Sequence, residues 1–325
     1  MVQARSVAVI DIGSNSIKVL VAARAADGET VSLHERSIEA RISAGIGGVD
    51  PLLAEDGMAR GLEAIRSLLG DVARFSPART LLVATSAVRD AHNGNEFCGR
   101  VRKATGHEIR ILGGNEEAGF IGRGLACDPA LRRLQDFHIY DLGGGSLECL
   151  SFRRRRLEQA ISLQLGCVRL MERFVRDPIA PFPAMAAGLI AEHVRTTFES
   201  SGFSLSLPSG AIAIGSGGTV ITARAVLGAR EGKTFEQTTP AIPVAQLREL
   251  LVWLGTMPLA DRKAVRGLPA ARADVFPTAL AILIALAETG GFTAYHNSVF
   301  NLRFGLADEA LPPGPVSHQF PLPAG

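Results

Sequence analysis

Two stretches of the chain, Val9–Lys18 and Ile139–Glu148, repeat one pattern of apolar and polar positions. In each stretch an apolar run ends at an aspartate, a turn of small residues follows, and a second apolar run begins at a serine. The aspartate, the first glycine, the serine and the final charged residue keep the same register in both copies. Apolar runs around a short glycine-containing turn are typical of paired strands, so the pattern predicts a β-hairpin in each stretch.

The apolar positions after the first hairpin predict strands that alternate with helices. Asp50-Pro51 predicts a helix start, because aspartate caps helix N-termini and proline fits the first helical position. Apolar residues then recur at helical spacing from Leu62 to Val72. The other elements predicted in this half are strands at 31–40, 80–84 and 108–112, and helices at 95–104 and from Gly113 onward.

The second hairpin begins the same plan again. Its half has predicted strands at 137–141, 146–152, 157–163, 211–214 and 298–300, and predicted helices at 168–175, 184–200, 244–254, 272–287 and 302–310. Strands followed by alternating helices and strands favour a mixed sheet with helices on both faces. We therefore predict an α/β protein of two similar halves that face one another across a cleft lined by glycine turns.

Length and composition narrow the class of function. The chain has 325 residues, which is typical of two domains. Its 34 basic and 32 acidic residues nearly balance, which gives no electrostatic basis for a dedicated nucleic-acid binder. The four cysteines form no C-x-x-C pair, and no apolar run reaches membrane-spanning length. We expect a cytoplasmic protein with no nucleic-acid or membrane partner.

Glycine-rich turns supply candidate phosphate-binding groups. Glycine adopts positive φ and lets the backbone approach a ligand closely, so that successive N–H groups can bind phosphate oxygens. A third glycine turn, at 214–219, precedes a helix-like segment, where a phosphate can lie at the helix N-terminus. A single turn of this kind is usually only a connection. Two matched copies and a third at a helix start favour phosphate binding.

Four carboxylates are candidates for chemistry at these turns. Glu116 and Glu117 fall in the first turn of a predicted helix, where acidic residues can also simply complement the helix dipole. With Asp141 and Glu148 expected in the same cleft, Mg²⁺ binding or proton transfer from water is favoured. Like-charged neighbours would raise the pKa of such a carboxylate toward that of a useful base. Only one of the two adjacent glutamates can point inward.

The candidate basic residues each allow two interpretations. Arg89 follows a strand end and is either a solvated loop arginine or a guanidinium that binds phosphate. Lys18 occupies the position equivalent to Glu148, and we expect it to contact phosphate. The run Arg153–Arg156 is typical of a solvated hairpin turn, and the alternative is a docking point for a long polyanion.

Five stretches, taken together, resemble the exopolyphosphatase and guanosine-pentaphosphate phosphohydrolase family, within the superfamily of actin, Hsp70 and the sugar kinases. They are residues 11–18, 84–89, 114–118, 141–148 and 215–219. The resemblance implies two actin-like, ribonuclease H-like domains. The first comprises residues 1–128 with a C-terminal helix at 301–312, and the second residues 129–300. A tail at 313–325, rich in Pro and Gly, is expected to be disordered.

The resemblance also implies the reaction, which is release of orthophosphate from inorganic polyphosphate or from guanosine pentaphosphate. Mg²⁺ would support it, with a monovalent cation such as K⁺ as a further candidate. Glu117 matches the family glutamate that positions and deprotonates water, and Arg89 matches a phosphate clamp. Carboxylates implied as metal or water ligands are Asp11, Asp141 and Glu148. Groups implied to bind phosphate are Ser14, Asn15, Lys18, Gly144, Gly145, Ser146, Gly217, Gly218 and Thr219. A homodimer is expected from the family.

Two positions depart from the family pattern. Leu147 replaces a threonine and removes one hydroxyl near the site, and Phe304 replaces a glutamate near the C-terminus. Neither position is Glu117, so the preferred interpretation is a polyphosphate hydrolase. Hydrolysis of guanosine pentaphosphate stays open as an alternative, as does a polyphosphate or nucleotide sensor without catalytic activity.

Overall fold

The computed structural model describes residues 5–43, 51–207 and 211–313. The chain folds into two compact units. Unit 1 comprises Met1–Arg133 and Phe300–Gly325, and unit 2 comprises Leu134–Val299. The tail predicted at 313–325 lies outside the described residues except for Pro313. No helix in the described part of the chain is both long and apolar enough to cross a membrane.

The elements alternate between strands and helices along the chain. The strands are β1 (Ser6–Ile12), β2 (Ile17–Arg24), β3 (Thr30–Ile38), β4 (Arg79–Ala84), β5 (Ile109–Ile111), β6 (Phe137–Leu142), β7 (Leu147–Arg153), β8 (Arg156–Leu163), β9 (Ile212–Ser216), β10 (Ala241–Pro243) and β11 (Ala294–Asn297). The helices are α1 (Glu55–Ala73), α2 (Ser86–Asp90), α3 (Gly94–Thr105), α4 (Gly114–Ala126), α5 (Cys167–Phe174), α6 (Ala184–Ser201), α7 (Gly217–Arg230), α8 (Val244–Gly255), α9 (Leu259–Lys263), α10 (Phe276–Gly290) and α11 (Leu302–Ala310). Short 3₁₀ turns lie at Pro129–Leu131 and Ala270–Arg272.

The two units share one sheet topology. In unit 1 the order is β3-β2-β1-β4-β5, and in unit 2 it is β10-β11-β9-β6-β7-β8. Each unit begins with an antiparallel three-stranded meander, and its next strand then pairs in parallel with the first. Unit 2 adds β10 as an antiparallel edge strand. Both predicted hairpins and the predicted mixed sheets are confirmed.

Burial explains why the central strands are apolar throughout. β1 and β2 lie inside the sheet of unit 1, and nearly every residue in them is buried. Strands covered on both faces lose the alternation of polar and apolar positions that half-exposed strands show. In unit 2, α10 is buried from Phe276 to Ala287, as expected for a helix that is apolar on all sides.

Three predicted boundaries are wrong. The helix expected from Pro51 begins at Glu55, because its N-cap residue Ala54 is extended and Leu53 exchanges two backbone hydrogen bonds with the Asn93 side chain. Asp50 lies outside the described residues. The helix expected from Arg272 begins at Phe276, with Pro277 in its first turn, where the missing N–H has no effect. The last strand occupies Ala294–Asn297 and not 298–300.

Two glycines allow α11 to pack closely on α4 in unit 1. A Cβ on Gly124 would overlap the carbonyl oxygen of Asn301, and a Cβ on Gly305 would overlap that of Phe120. The buried Arg303 of α11 donates a hydrogen bond of 2.9 Å to the carbonyl of Val19 in β2. Backbones this close require glycine at both contact positions. Helix α11 is therefore part of the framework that positions α4.

Phe304, the departure from the family pattern noted above, is a packing residue of unit 1. Its ring is buried and lies 4.5 Å, centroid to centroid, from the ring of Phe300. Aromatic pairs in such contact add to the stability gained by burying apolar area.

His138 gives unit 2 an acid-sensitive core. Its ring nitrogens hydrogen-bond to Tyr140 and Ser151, and burial, with a smaller effect of the Arg153 charge, lowers the pKa of His138 from 6.5 to about 4. Between these two values the unfolded chain binds a proton that the folded chain does not. Stability is therefore fully present above pH 6.5 and declines as the pH falls to 4, by up to about 3 kcal/mol.

Urea denaturation at several pH values will measure this loss. Trp253 is the only tryptophan of the chain and lies in α8 of unit 2, so its fluorescence reports on the unit that contains His138. In His138→Asn the decline between pH 6.5 and 4 should shrink. An equally steep decline in this variant would assign the effect to other groups.

Candidate functional site

The first glycine turn connects β1 to β2 and buries its polar side chains. Gly13 N–H donates to the Ser16 carbonyl, closing the turn, and Asp11 pairs in register with Lys18. The carbonyls of Ser14 and Asn15 accept hydrogen bonds from the N–H groups of Ser43 and Arg41. The C=O and N–H of a trans peptide point in opposite directions. The N–H groups of Asn15 and Ser16, which belong to the same peptides as these two carbonyls, therefore point away from residues 41–43.

Side-chain contacts fix the first turn further. The Ser14 hydroxyl lies 3.0 Å from the hydroxyl of Ser86, which is in α2. The Asn15 amide nitrogen donates to Glu39 at 2.9 Å, and its buried Oδ1 has no hydrogen-bond partner among the described residues. An unpaired buried amide oxygen is costly in a folded protein and is a frequent mark of a ligand site.

The two adjacent glutamates at the start of α4 have different environments. The side chain of Glu117 is 7% exposed and accepts a hydrogen bond of 2.9 Å from Arg89. Glu116 is 37% exposed and pairs with Arg110. The inward-pointing glutamate is thus Glu117. Its charged neighbour in unit 1 is an arginine, whereas the sequence had suggested neighbouring carboxylates.

Arg89 connects three groups at the end of β4. Its guanidinium donates to the Leu112 carbonyl at 3.1 Å as well as to Glu117, and it lies 3.4 Å from Asp90. A guanidinium beside a carboxylate favours the ionised carboxylate. This pairing also fixes the orientation of the Glu117 carboxylate at the start of α4. Whether Arg89 also clamps phosphate stays a prediction.

The second glycine turn repeats the geometry of the first. Gly143 N–H donates to the Ser146 carbonyl, and Asp141 pairs in register with Glu148. The carbonyls of Gly143 and Gly144 accept hydrogen bonds from the first N–H groups of α5, and the Gly145 carbonyl accepts one from the Arg169 side chain. The N–H groups of residues 144, 145 and 146 therefore point away from α5. Such a row of N–H groups is suited to an anion.

Asp141 and Glu148 each accept a hydrogen bond from a serine hydroxyl. Ser216 donates to Asp141 at 2.7 Å, and Ser162 donates to Glu148 at 2.8 Å. Glu148 is 3% exposed. These hydroxyls fix the carboxylate orientations without neutralising their charge.

The third turn runs from β9 into α7 and contacts Asp141 directly. Gly217 has φ +79°, and a Cβ there would overlap the Asp141 carboxylate. The Thr219 hydroxyl is buried and donates to the Leu142 carbonyl at 3.1 Å. Any contact of Thr219 with phosphate would thus come from its backbone N–H at the start of α7.

Arg272 lies against the third glycine turn, a contact that the sequence did not indicate. It is 8% exposed, and a Cβ on Gly218 would overlap its guanidinium. A buried arginine beside a turn whose N–H groups suit an anion adds a charged donor of phosphate geometry. The only sequence signal was its place after Pro269 and before a long apolar run, which indicated a helix.

Comparison with known proteins gives the family. The sequence profile of the Ppx/GppA phosphatase family matches residues 6–312. The chain belongs to this family.

Relatives in the family cover nearly the whole chain. Guanosine-5'-triphosphate,3'-diphosphate pyrophosphatases of two Vibrio cholerae serotype O1 strains are 28% identical over 312 residues. The match covers 94% of this chain and 59% of those relatives, so the chain spans about three fifths of their length.

Solved structures of family members share the fold. The Aquifex aeolicus member of the Ppx/GppA family has a TM-score of 0.75 at 22% identity, covering 94% of this chain and 97% of that one. An exopolyphosphatase from Cytophaga hutchinsonii has a TM-score of 0.81 at 20% identity, covering 95% and 100%. The predicted actin-like α/β fold is confirmed.

Asp141 and Glu148 of unit 2 fit a magnesium ion that also binds water and substrate better than they fit a metal whose ligands all come from the protein. Across residues 5–43, 51–207 and 211–313, no group of three or more His, Cys, Asp or Glu side chains could hold a metal ion. Mg²⁺ is commonly bound by one or two carboxylates, water and substrate phosphates. Asp141 and Glu148, paired across one hairpin, match that requirement. Asp11, on β1 of unit 1, stays a predicted ligand.

Proposed function

We propose that this Ppx/GppA family member hydrolyses a terminal phosphoanhydride bond and releases orthophosphate, with inorganic polyphosphate as its preferred substrate. The observation that carries the proposal is the buried Glu117 carboxylate, paired with Arg89 at the start of α4. A buried carboxylate held in one orientation by a guanidinium is positioned to take a proton from an attacking water. The adjacent Glu116 also pairs with an arginine, but its side chain is 37% exposed.

In the proposed reaction Glu117 accepts a proton from a water molecule as that water attacks the terminal phosphorus. The P–O bond to the next phosphate breaks, and orthophosphate and a chain shorter by one phosphate leave. Phosphoryl transfer of this kind depends mostly on positioning and on stabilising charge. When bound, Mg²⁺ would neutralise phosphate charge and would be held by Asp141 and Glu148; K⁺ is a further candidate cation.

We assign phosphate binding to backbone N–H groups and to basic side chains. Three consecutive N–H groups, of Gly144, Gly145 and Ser146, point away from α5, and Gly217 and Gly218 begin α7. The other candidates are Ser14, Asn15, Lys18 and Thr219, with Arg272 added from the geometry. Preorganised donors of this kind stabilise charge that develops on oxygen in the transition state.

Guanosine pentaphosphate is the second candidate substrate. It is favoured by the Vibrio cholerae relatives, which are named for acting on guanosine-5'-triphosphate,3'-diphosphate. Both substrates present a terminal phosphate, so the same catalytic groups would serve either. A sensor that binds these anions without turnover is the third candidate.

We also propose a cytoplasmic homodimer, which sedimentation at several protein concentrations will test.

The test of the proposed function is orthophosphate release by the purified chain with Mg²⁺, on long-chain polyphosphate and on guanosine pentaphosphate in parallel. Faster release from polyphosphate supports the proposal. Faster release from guanosine pentaphosphate would make that nucleotide the preferred substrate and leave the proposed hydrolysis unchanged. Binding of both without release would leave only the sensor. Addition of a chelator should abolish release, and undiminished release would remove Mg²⁺ from the proposal.

A substitution at Gly217 tests the contact of the third turn with Asp141. Gly217→Ala adds a methyl group that overlaps the carboxylate, so we expect orthophosphate release to fall at least about tenfold. The matched control is Gly232→Ala, which has a similar φ of +70° but open space around the added methyl group. Both variants should lose about 1 kcal/mol of stability from backbone strain. Equal activity of the two variants would contradict the role of this contact.

A further inference from the structure

The hairpin turn between β7 and β8 has arginine at all four positions and an unusual backbone. Arg153 pairs with Arg156 in the ladder, and Arg154 and Arg155 form the two-residue loop. Their φ angles are +47° and +61°. Two positive φ angles are required by type I′ turns, where glycine, asparagine and aspartate are strongly preferred. Arginine at both positions costs conformational energy that those residues would avoid.

Contacts with the segment before β6 hold this turn in place. The Arg154 N–H donates to the Asp136 carboxylate at 2.8 Å, and the Arg155 N–H donates to the Gln135 carbonyl at 2.8 Å. The Arg155 guanidinium also donates to the Leu134 carbonyl, at 3.0 Å. The backbone of the turn is therefore fixed, while three of the four guanidinium groups project from its exposed residues.

The charge of the turn is only partly balanced. Arg153 lies 3.4 Å from Glu158, and Asp136 accepts the bond from the Arg154 backbone. Arg154 and Arg156 are exposed, and neither has an ion pair among the described residues. The exposed Arg154 and Arg156 therefore leave positive charge on one fixed turn. Exposed guanidinium groups in such a group bind phosphate oxygens well.

The position of the turn determines which phosphate compound can use it. Strand β7 starts beside Glu148 and ends at Arg153, so the turn and the carboxylate are separated by about 17 Å of extended strand. A short phosphate compound held at the glycine turns, such as tripolyphosphate, does not reach arginines at the far end of this strand. A long, flexible polyanion can.

We propose that the Arg153–Arg156 turn is a binding site for the distal part of a long inorganic polyphosphate chain. The inference rests on the proposed function and extends it, because it assigns chain-length preference to a surface outside the reacting groups. It also explains why arginine occupies positions where the backbone favours asparagine or glycine.

The test compares two double variants with the unchanged turn, all in a Glu117→Gln background so that the ligand is not consumed. Arg154→Asn with Arg156→Gln removes two charges, and asparagine tolerates the positive φ, so the fold is kept. Arg154→Lys with Arg156→Lys preserves both charges. The probe is end-labelled long-chain polyphosphate, with tripolyphosphate as the short competitor.

We expect the neutral variant to bind long polyphosphate roughly tenfold more weakly than the unchanged turn, and the lysine variant to recover most of this loss. The salt dependence of long-chain binding should become less steep by about one unit in the log–log slope. Tripolyphosphate affinity and the melting temperature should not change. Equal affinities of all three proteins for the long chain would overturn the proposal. Equal weakening for tripolyphosphate would overturn it as well.

Two further arms separate this inference from its alternatives. The first arm measures binding of single-stranded polyuridylate. If polyuridylate binds as tightly as polyphosphate, and the neutral variant weakens both equally, the site would be assigned to nucleic acid and not to polyphosphate. Orthophosphate release, measured with Glu117 intact, tests the proposed function separately. If orthophosphate is released at a rate that does not depend on the turn, the proposed hydrolysis stands and the binding site at the turn is rejected. Turn-dependent binding without release would support the site and reject the reaction.

Discussion

Glu117→Gln is expected to lower the rate of orthophosphate release by about 10²-fold or more, because it removes the group proposed to take the proton from water. Glutamine keeps the size of the side chain and can still accept a hydrogen bond from Arg89, which is 2.9 Å from the carboxylate in the native chain. Arg89 also retains Asp90 at 3.4 Å, so the substitution leaves no isolated charge. The loss should therefore appear in kcat, with little change in KM or in melting temperature.

The neighbouring residue provides a matched control for this experiment. Glu116→Gln makes the same chemical change one position earlier, on a side chain that is 37% exposed and pairs with Arg110. Its activity should stay within about twofold of the native chain, since exposed pairs of this kind contribute little. Comparable losses of activity in Glu116→Gln and Glu117→Gln would mean that activity depends on the negative charge of the first turn of α4 and not on Glu117 as a specific base.

Gly124→Ala should strongly destabilise unit 1. The added methyl group would overlap the backbone carbonyl of Asn301, which cannot rotate away as a side chain could. Forced separation of α4 and α11 should cost about 3 kcal/mol of unfolding free energy. Because Glu117 lies in the first turn of α4, activity should fall along with stability.

Gly119→Ala, in the same helix, should change the free energy of unfolding in the opposite direction. No atom lies within 4 Å of a Cβ added at Gly119, so only the higher helix propensity of alanine acts, and stability should rise by up to about 1 kcal/mol. Chemical denaturation followed by circular dichroism will compare the two variants. Similar stabilities would show that α11 does not determine the position of α4.

The features predictable from the sequence were those set by local pattern. The two hairpins have long apolar runs and a shared register, which is why Asp11 opposite Lys18 and Asp141 opposite Glu148 follow from the sequence alone. Strand β11 was predicted too late in the chain, at 298–300, because His296 and Asn297 make Ala294–Asn297 look polar, although β11 pairs on both sides. In that strand, sheet pairing outweighs local propensity.

The environment of each site side chain could not be read from the sequence. The choice between Glu116 and Glu117 depends on the rotation of α4 and on partners that lie 6 and 28 residues away. Arg272 lies more than 50 positions after Gly218, and only tertiary packing brings the two together. Long-range contacts of this kind leave no periodic signal.

The order in which the elements are synthesised differs from the order in which the units can be completed. Unit 2 is one continuous segment, whereas unit 1 needs Phe300–Gly325 in addition to Met1–Arg133. Domains generally fold as units during synthesis. Unit 2 can therefore form while α4 still lacks α11, the helix that contacts it through Gly124 and Gly305. A nascent chain that has not yet reached α11 thus carries Glu117 on an unsupported helix, and the site is completed only after unit 2 has emerged.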